Sequence, residues 1–222
     1  MLRDLRIRTR LLATFAILAS LIVAIVAISA YSISHVGDDL TRINEVNGVK
    51  QRYAINFRGS VHDRAISLRD VVLLPTPAER REPLAEIERL TKQYAESAAP
   101  LDAMLAPDKN PTAQELNILA SIKDIERRTL PVIEEVIARK QAGDELGAQQ
   151  MLMGQARPLF VEWLAAINRF IDYQEAKNRE VGADVEKVIE SFNVLEGSLL
   201  VLALLIGGGA AWWVLRSMAP LG

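Results

Sequence analysis

Hydrophobic positions along the chain follow two different patterns. Two runs, 11–33 and 198–215, contain no charged residue and are 23 and 18 residues long. Between them, apolar residues recur every three or four positions, which is the spacing of one face of an α-helix. At a rise of about 1.5 Å per residue, the longer run spans about 34 Å, enough to cross a hydrocarbon core of about 30 Å. We therefore predict transmembrane helices at 11–33 and 198–215 that flank a helical domain at 34–193.

A cleaved signal peptide is the alternative interpretation of the first run, because a basic start precedes both signal peptides and membrane anchors. The hydrophobic part of a signal peptide is about 7–15 residues long and ends in a small-residue cleavage site. The run at 11–33 is longer and lacks a clear A-x-A exit. We predict that it is retained as an anchor.

Flanking charge predicts the orientation. One acid accompanies the basic residues that precede the first run, which are Arg3, Arg6, Arg8 and Arg10. Arg216 follows the second run. Because cytoplasmic flanks are enriched in Lys and Arg, the segment 1–10 and the C-terminal end are expected in the cytoplasm. The chain is thus predicted to be a two-pass protein of the bacterial inner membrane, with 34–193 in the periplasm.

Breaks divide 34–193 into long helices. The breaks contain Pro or Gly and lie at 75–77, 107–111, 143–144 and 154–158. Thr76 and Thr112 are each followed three residues later by Glu, the pattern of a helix-capping box. Four amphipathic helices with short links favour an all-α fold, an up-down-up-down four-helix bundle between the two transmembrane helices.

The first bundle helix carries a polar residue where its buried stripe calls for an apolar one. Arg64 lies in that stripe, and a guanidinium taken out of water costs several kcal/mol unless it is paired or hydrated. The full stripe steps by fours and threes through Val36, Leu40, Ile43, Asn47, Lys50, Ala54, Phe57, Val61, Arg64, Leu68 and Val71.

Further basic residues share one flank of the same helix, namely Arg58, His62 and Arg69. They are either solvated and paired with acids such as Asp63 and Asp70, or they form a site for a small carboxylate. The planar guanidinium fork suits carboxylate recognition. Together with Arg64, these residues are our candidate ligand-binding residues.

Counting from the two apolar runs predicts their neighbours. Arg58 lies 25 residues after the first run, and Tyr173 lies 25 residues before the second. Antiparallel helices that rise at the same rate place them at one height, with Arg128 and Thr129 at a similar level. Tyr173, Arg128 and Thr129 are therefore added to the candidate site.

Sequence motifs and composition argue against several functions. The chain has no P-loop, no G-x-S-x-G and no H-E-x-x-H motif. It has no cysteine and only two histidines, so we predict neither a metal site nor a cofactor. The segment 34–193 holds 21 Lys and Arg against 26 Asp and Glu, a net charge of −5, which argues against nucleic-acid binding. An enzyme is not expected.

The layout as a whole resembles methyl-accepting chemotaxis proteins of the aspartate-receptor type. The stretch NFRGSVHDRAISLRDVVL at 56–73 is similar to the first sensing helix of such receptors, and Pro220-Leu221 within 216–222 is similar to the start of a HAMP linker. Histidine-kinase and cyclase receptors carry the same sensor module. A stalk that binds a periplasmic protein is a further alternative.

The resemblance implies a homodimer in the lipid bilayer that binds a small anionic ligand, such as an amino acid or a di- or tricarboxylate. It implies that arginines of the first helix hold the carboxylate, which points to Arg58, Arg64 and Arg69. Arg157 is included because it lies near the start of the last helix, where the family completes its pocket. Output would pass to a cytoplasmic chemotaxis kinase and its adaptor through a region beyond this chain.

Overall fold

Helices make up nearly all of residues 7–218, the part of the chain that the structure, a computed structural model, describes. Residues 1–6 and 219–222, which include Arg3, Arg6 and the Pro220-Leu221 part of the predicted linker, lie outside the described residues. No strand occurs between residues 7 and 218, so the all-α prediction is confirmed. The α-helices are α1 (Ile7–Thr41), α2 (Gly48–Leu73), α3 (Arg81–Met104), α4 (Ala113–Gln141), α5 (Glu145–Met151) and α6 (Arg157–Met218).

Three short helical segments connect these helices. A π-helical turn, Arg42–Asn47, joins α1 to α2, and another, Leu152–Ala156, joins α5 to α6. A 3₁₀ turn, Pro107–Lys109, lies between α3 and α4. Because the π turns continue the helical path, the chain runs without a strand or open loop from Glu145 to Met218.

The chain divides into two compact units. The bundle unit is Ile43–Arg179, and the span unit comprises the described parts of Met1–Arg42 and Glu180–Gly222. Both helices of the span unit are long and apolar enough, by length and composition, to cross a membrane. Their most apolar windows have mean hydropathies of 2.6 and 2.0 and bury none of their residues. Within this unit, Ser32 and Ser191 line one cavity, so they lie at the same level.

Capping residues set where the helices begin. The Thr112 capping box is complete, because the Thr112 side chain accepts from the Glu115 N–H and the Glu115 side chain accepts from the Thr112 N–H. At Thr76, the same two hydrogen bonds form with Glu79, at 3.1 and 3.3 Å, although regular helix begins only at Arg81. Both predicted boxes are therefore present.

The last helix starts earlier than the prediction from Gly154 and Pro158. Asp144 accepts a hydrogen bond from the Gly147 N–H and caps α5, and the helical path then continues through both residues. Pro158 has no N–H and would clash with the carbonyl four residues before it in a regular helix. The π turn, which is wider than an α-helix and ends at Ala156, includes Gly154, the residue whose carbonyl would clash with Pro158.

The core of the bundle unit matches the predicted stripe. Every stripe position of α2 from Lys50 to Val71 is buried, and so is Asn47 just before it. Aromatic rings fill the centre, with Phe57 stacked on Tyr94 at 4.2 Å between ring centroids and Tyr94 edge-on to Trp163 at 5.4 Å. The burial of this stripe supports the four-helix-bundle prediction.

Candidate ligand-binding site

A groove on the bundle unit runs between α2 and the start of α6. Its first pocket encloses about 350 Å³ and is lined by Arg58, Gly59 and His62 of α2 and by Leu164 and Asn168 of α6. Arg58 and His62 are one turn apart, so they lie on one flank of the helix, as the sequence predicted.

A second pocket continues the groove beyond Leu164, which lines both. It encloses about 480 Å³. α2 contributes Ala65 and Arg69 to it. The rest of its lining comes from the π turn and α6: Leu152, Met153, Arg157, Phe160, Val161 and Leu164. The structure thus brings together four of the predicted candidates, Arg58, His62, Arg69 and Arg157, along one groove.

Two of the four basic side chains in the groove have no hydrogen-bond or ion-pair partner among the described residues. These are Arg58 and Arg157, both exposed. His62 Nδ1 lies 3.1 Å from an oxygen of Asp63, and Arg69 Nη2 lies 2.9 Å from an oxygen of Asp70. The groove therefore offers unpaired guanidinium groups to an anion.

Arg64 lies in the core and lines neither pocket of the groove. It is 1% exposed. Its guanidinium carbon is 5.2 Å from the ring centroid of Tyr94 and 4.9 Å from that of Trp163. The predicted seam position is confirmed, and aromatic faces, which attract cations, surround the charge.

The surroundings of Arg64 compensate only part of the cost of burying its charge. Its Nε and Nη2 atoms are buried without a hydrogen-bond partner among the described residues. Burial lowers the pKa of Arg64, whereas the nearby phenol of Tyr94 and carboxylate of Glu126 act to raise it. Burial also raises the pKa of Glu126, against the opposing effects of a hydrogen bond from Tyr94 and of the Arg64 charge. The buried Arg64 and Tyr94 and the half-buried Glu126 thus influence one another's charge.

The remaining candidates lie away from the groove lining. Arg128 pairs with Asp124 at 3.1 Å and with Glu162 at 3.0 Å. Thr129 is buried, and its hydroxyl donates to the Ile125 carbonyl.

Tyr173 lies in a different place from the one that counting predicted. Its hydroxyl is 2.9 Å from that of Thr112, whereas Leu164 and Asn168 are the α6 residues that face Arg58. The expected level of Tyr173 is thus wrong by more than one helical turn.

The bundle unit also contains a buried polar layer that the sequence pattern did not predict. The layer comprises Lys50, Glu115, Gln174 and Lys177, which join α2, α4 and α6. Glu115 Oε1 accepts from Lys50 Nζ at 2.9 Å, from Gln174 Nε2 at 2.8 Å and from Lys177 Nζ at 3.4 Å. Its other oxygen accepts from the Thr112 N–H at 2.8 Å. The sequence feature that pointed to this layer was Lys50 at a stripe position, because a buried ammonium group is costly unless an acid pairs with it.

Glu115 is expected to make stability depend on pH in the acid range. Burial acts to raise its pKa, but the hydrogen bonds from Gln174, Thr112 and Lys50 outweigh this and lower the pKa to about 2. A carboxyl with a depressed pKa stabilises the fold above its unfolded pKa of about 4.3, and this stability is lost as the pH falls toward the folded value.

The melting temperature should therefore fall as the pH is lowered from about 5 to about 2. In Glu115→Gln the fall should be smaller, because this variant lacks the carboxyl that titrates. Thermal scans across that range would measure it. Equal slopes for the wild type and Glu115→Gln would contradict the assignment.

Comparison with known proteins identifies one family. Residues 4–189 match the family described as a four-helix-bundle sensory module for signal transduction. No curated protein and no solved structure matches the chain. The match covers the whole bundle unit and the first apolar run.

Proposed function

Because the chain belongs to the family of four-helix-bundle sensory modules for signal transduction, we propose that it senses a small organic acid as part of a two-pass membrane receptor. The bundle unit binds the acid, and α6 carries the signal, since this helix extends from the groove at Arg157 into the second apolar run. The response is chemotactic, and the receptor acts on a cytoplasmic kinase and its adaptor.

The observation that carries this proposal is the groove between α2 and α6. It places Arg58, His62, Arg69 and Arg157 on one surface, and the guanidiniums of Arg58 and Arg157 have no partner among the described residues. Its pockets of about 350 and 480 Å³ are of the size that small-molecule sites have. A carboxylate in this groove would gain charge-assisted hydrogen bonds.

Charge and chain direction support an orientation in which the bundle unit faces the periplasm. The N-terminal flank of the first apolar run carries four arginines, and Arg216 follows the second run. The Arg216 guanidinium lies over the Trp212 ring, 5.2 Å from its centroid, and Trp is enriched at membrane–water interfaces. We further propose that the receptor works as a homodimer in the inner membrane.

Replacing a groove arginine is expected to weaken ligand binding. A charge-assisted hydrogen bond contributes about 1.5–3 kcal/mol, so replacing the arginine that holds the carboxylate, by Arg58→Gln or by Arg157→Gln, should raise the Kd about tenfold or more. Acids that bind would first be found as those that raise the melting temperature of the chain in nanodiscs, because a ligand of the folded state stabilises it. Calorimetry would then measure Kd.

Arg81→Gln provides the matched control, because Arg81 is an exposed arginine at the start of α3 and lines neither pocket. Its Kd should equal that of the wild type. Unchanged affinity in both groove variants would contradict the proposed site. If no mono-, di- or tricarboxylate or amino acid raises the melting temperature, the proposed function fails.

A further inference from the structure

The pocket beside the π turn has an apolar floor and an apolar rim. Leu152 and Phe160 are buried at its floor, while Met153 and Val161 are 53% and 62% exposed at its rim. Covering apolar surface that is in contact with water is favourable, so this pocket favours a ligand with an apolar part. Met is unbranched and flexible, so Met153 can adjust to the shape of a bound group.

The same pocket has one unbalanced positive charge. Arg157 has no described partner, whereas the charge of Arg69 is balanced by Asp70 at 2.9 Å. Glu162 lines the adjoining pocket, and Arg128 balances its charge at 3.0 Å. A single carboxylate on the ligand would therefore neutralise the site.

A second carboxylate has no place in this pocket. Away from Arg157, its lining is apolar except for the paired Arg69. A charged group buried against such a surface is costly unless it is paired, so a dicarboxylate or tricarboxylate would have to leave at least one charge unmatched in this pocket.

We propose that this pocket binds a monocarboxylate with an apolar body, its carboxylate on Arg157 and its body against Leu152, Phe160 and Val161. The volume of about 480 Å³ admits a body the size of an aromatic ring or a short branched chain. This inference rests on the proposed function and narrows its ligand class, because it disfavours the di- and tricarboxylates that the sequence resemblance implies.

The proposal predicts a ranking of four probes. Calorimetry on the full chain in nanodiscs would compare phenylacetate and 4-methylpentanoate with acetate and succinate, and empty nanodiscs would correct for partition into lipid. We expect the two apolar acids to bind at least tenfold more tightly than acetate or succinate. Phenylacetamide, which keeps the ring and lacks the charge, should bind at least tenfold more weakly than phenylacetate.

Two matched variants locate the binding to this pocket. Val161→Asp places a carboxylate in the rim and should abolish phenylacetate binding, while Leu146→Asp makes the same kind of change at a residue of α5 that is 65% exposed and outside the pocket. The Leu146→Asp variant should bind as the wild type does. Equal loss in both variants would overturn the assignment of the site.

The remaining outcomes separate this inference from the function on which it rests. If succinate binds more tightly than phenylacetate, the inference fails and the proposed function stands. If no acid binds, both fail. If no acid binds and Val161→Asp converts a dimer into a monomer in light scattering, the groove belongs to a second copy of the chain instead.

Discussion

Replacing Glu115 by Ala is expected to lower the free energy of unfolding of the bundle unit by about 3–5 kcal/mol, the cost of breaking a buried ion pair by removing one partner. Lys50 is 5% exposed and Gln174 is fully buried, so both would lose their acceptor without gaining access to water. The Thr112 N–H would lose its capping partner as well. Urea unfolding of the chain in nanodiscs, followed by far-UV circular dichroism, would measure the change.

A double variant distinguishes lost pairing from lost volume. In Lys50→Met with Glu115→Leu, both charges are replaced by apolar groups, and stability should return to near the wild-type value. Glu135→Ala, at an exposed glutamate that pairs with Arg139 on the same helix, should leave the urea midpoint nearly unchanged. A Glu115→Ala midpoint equal to that of Glu135→Ala would show that the buried pair contributes nothing.

Replacing Trp163 by Ala is expected to cost a similar amount, about 3–5 kcal/mol, because it empties the centre of the core. Trp163 is 0% exposed and contacts the Tyr94 ring, the Phe160 ring and the Arg64 guanidinium. The variant leaves a cavity and also removes one of the two aromatic faces that stabilise the buried charge. The same urea titration would measure it.

Arg64→Met tests how much of that cost comes from losing the contact between the Trp163 ring and the Arg64 charge. Methionine fills much of the arginine volume and removes a charge whose Nε and Nη2 have no described partner, so Arg64→Met alone should be neutral or stabilising. In that background, Trp163→Ala should cost about 0.5–2 kcal/mol less than in the wild type, the energy of the cation–π contact. Equal costs in the two backgrounds would show that the ring does not stabilise the charge.

Hydrophobic spacing was sufficient to predict most of the fold. The α2 stripe is buried from Asn47 to Val71, including its polar members Lys50 and Arg64, because the period of the helix fixes which residues share a face. The two capping boxes are also local patterns, and both formed. The start of the last helix was not predictable in this way, because Gly154 and Pro158 are accommodated by a π turn that has no distinctive sequence pattern.

The level of α6 relative to α2 was predicted wrongly for a physical reason. Counting assumed that the end of the first apolar run and the start of the second lie at the same height. In the span unit, however, Ser32, near the end of the first run, shares a cavity with Ser191, which is seven residues before the second run. Within the bundle unit, Tyr173 was predicted beside Arg58, where the structure has Leu164 and Asn168. The alignment of helices depends on side-chain packing between them, which a one-dimensional pattern does not contain.

The polar layer restricts how far α6 can travel along its own axis. A slide of one turn, about 5.4 Å, would bring either Phe170 or Asn178 to the position that Gln174 occupies opposite Glu115. Phe170 offers no donor there, and shorter slides would stretch both hydrogen bonds that Gln174 and Lys177 of α6 donate to one oxygen of Glu115. Glu115 therefore opposes small displacements of α6 along its axis, and a displacement of a full turn is the smallest that brings another side chain opposite it.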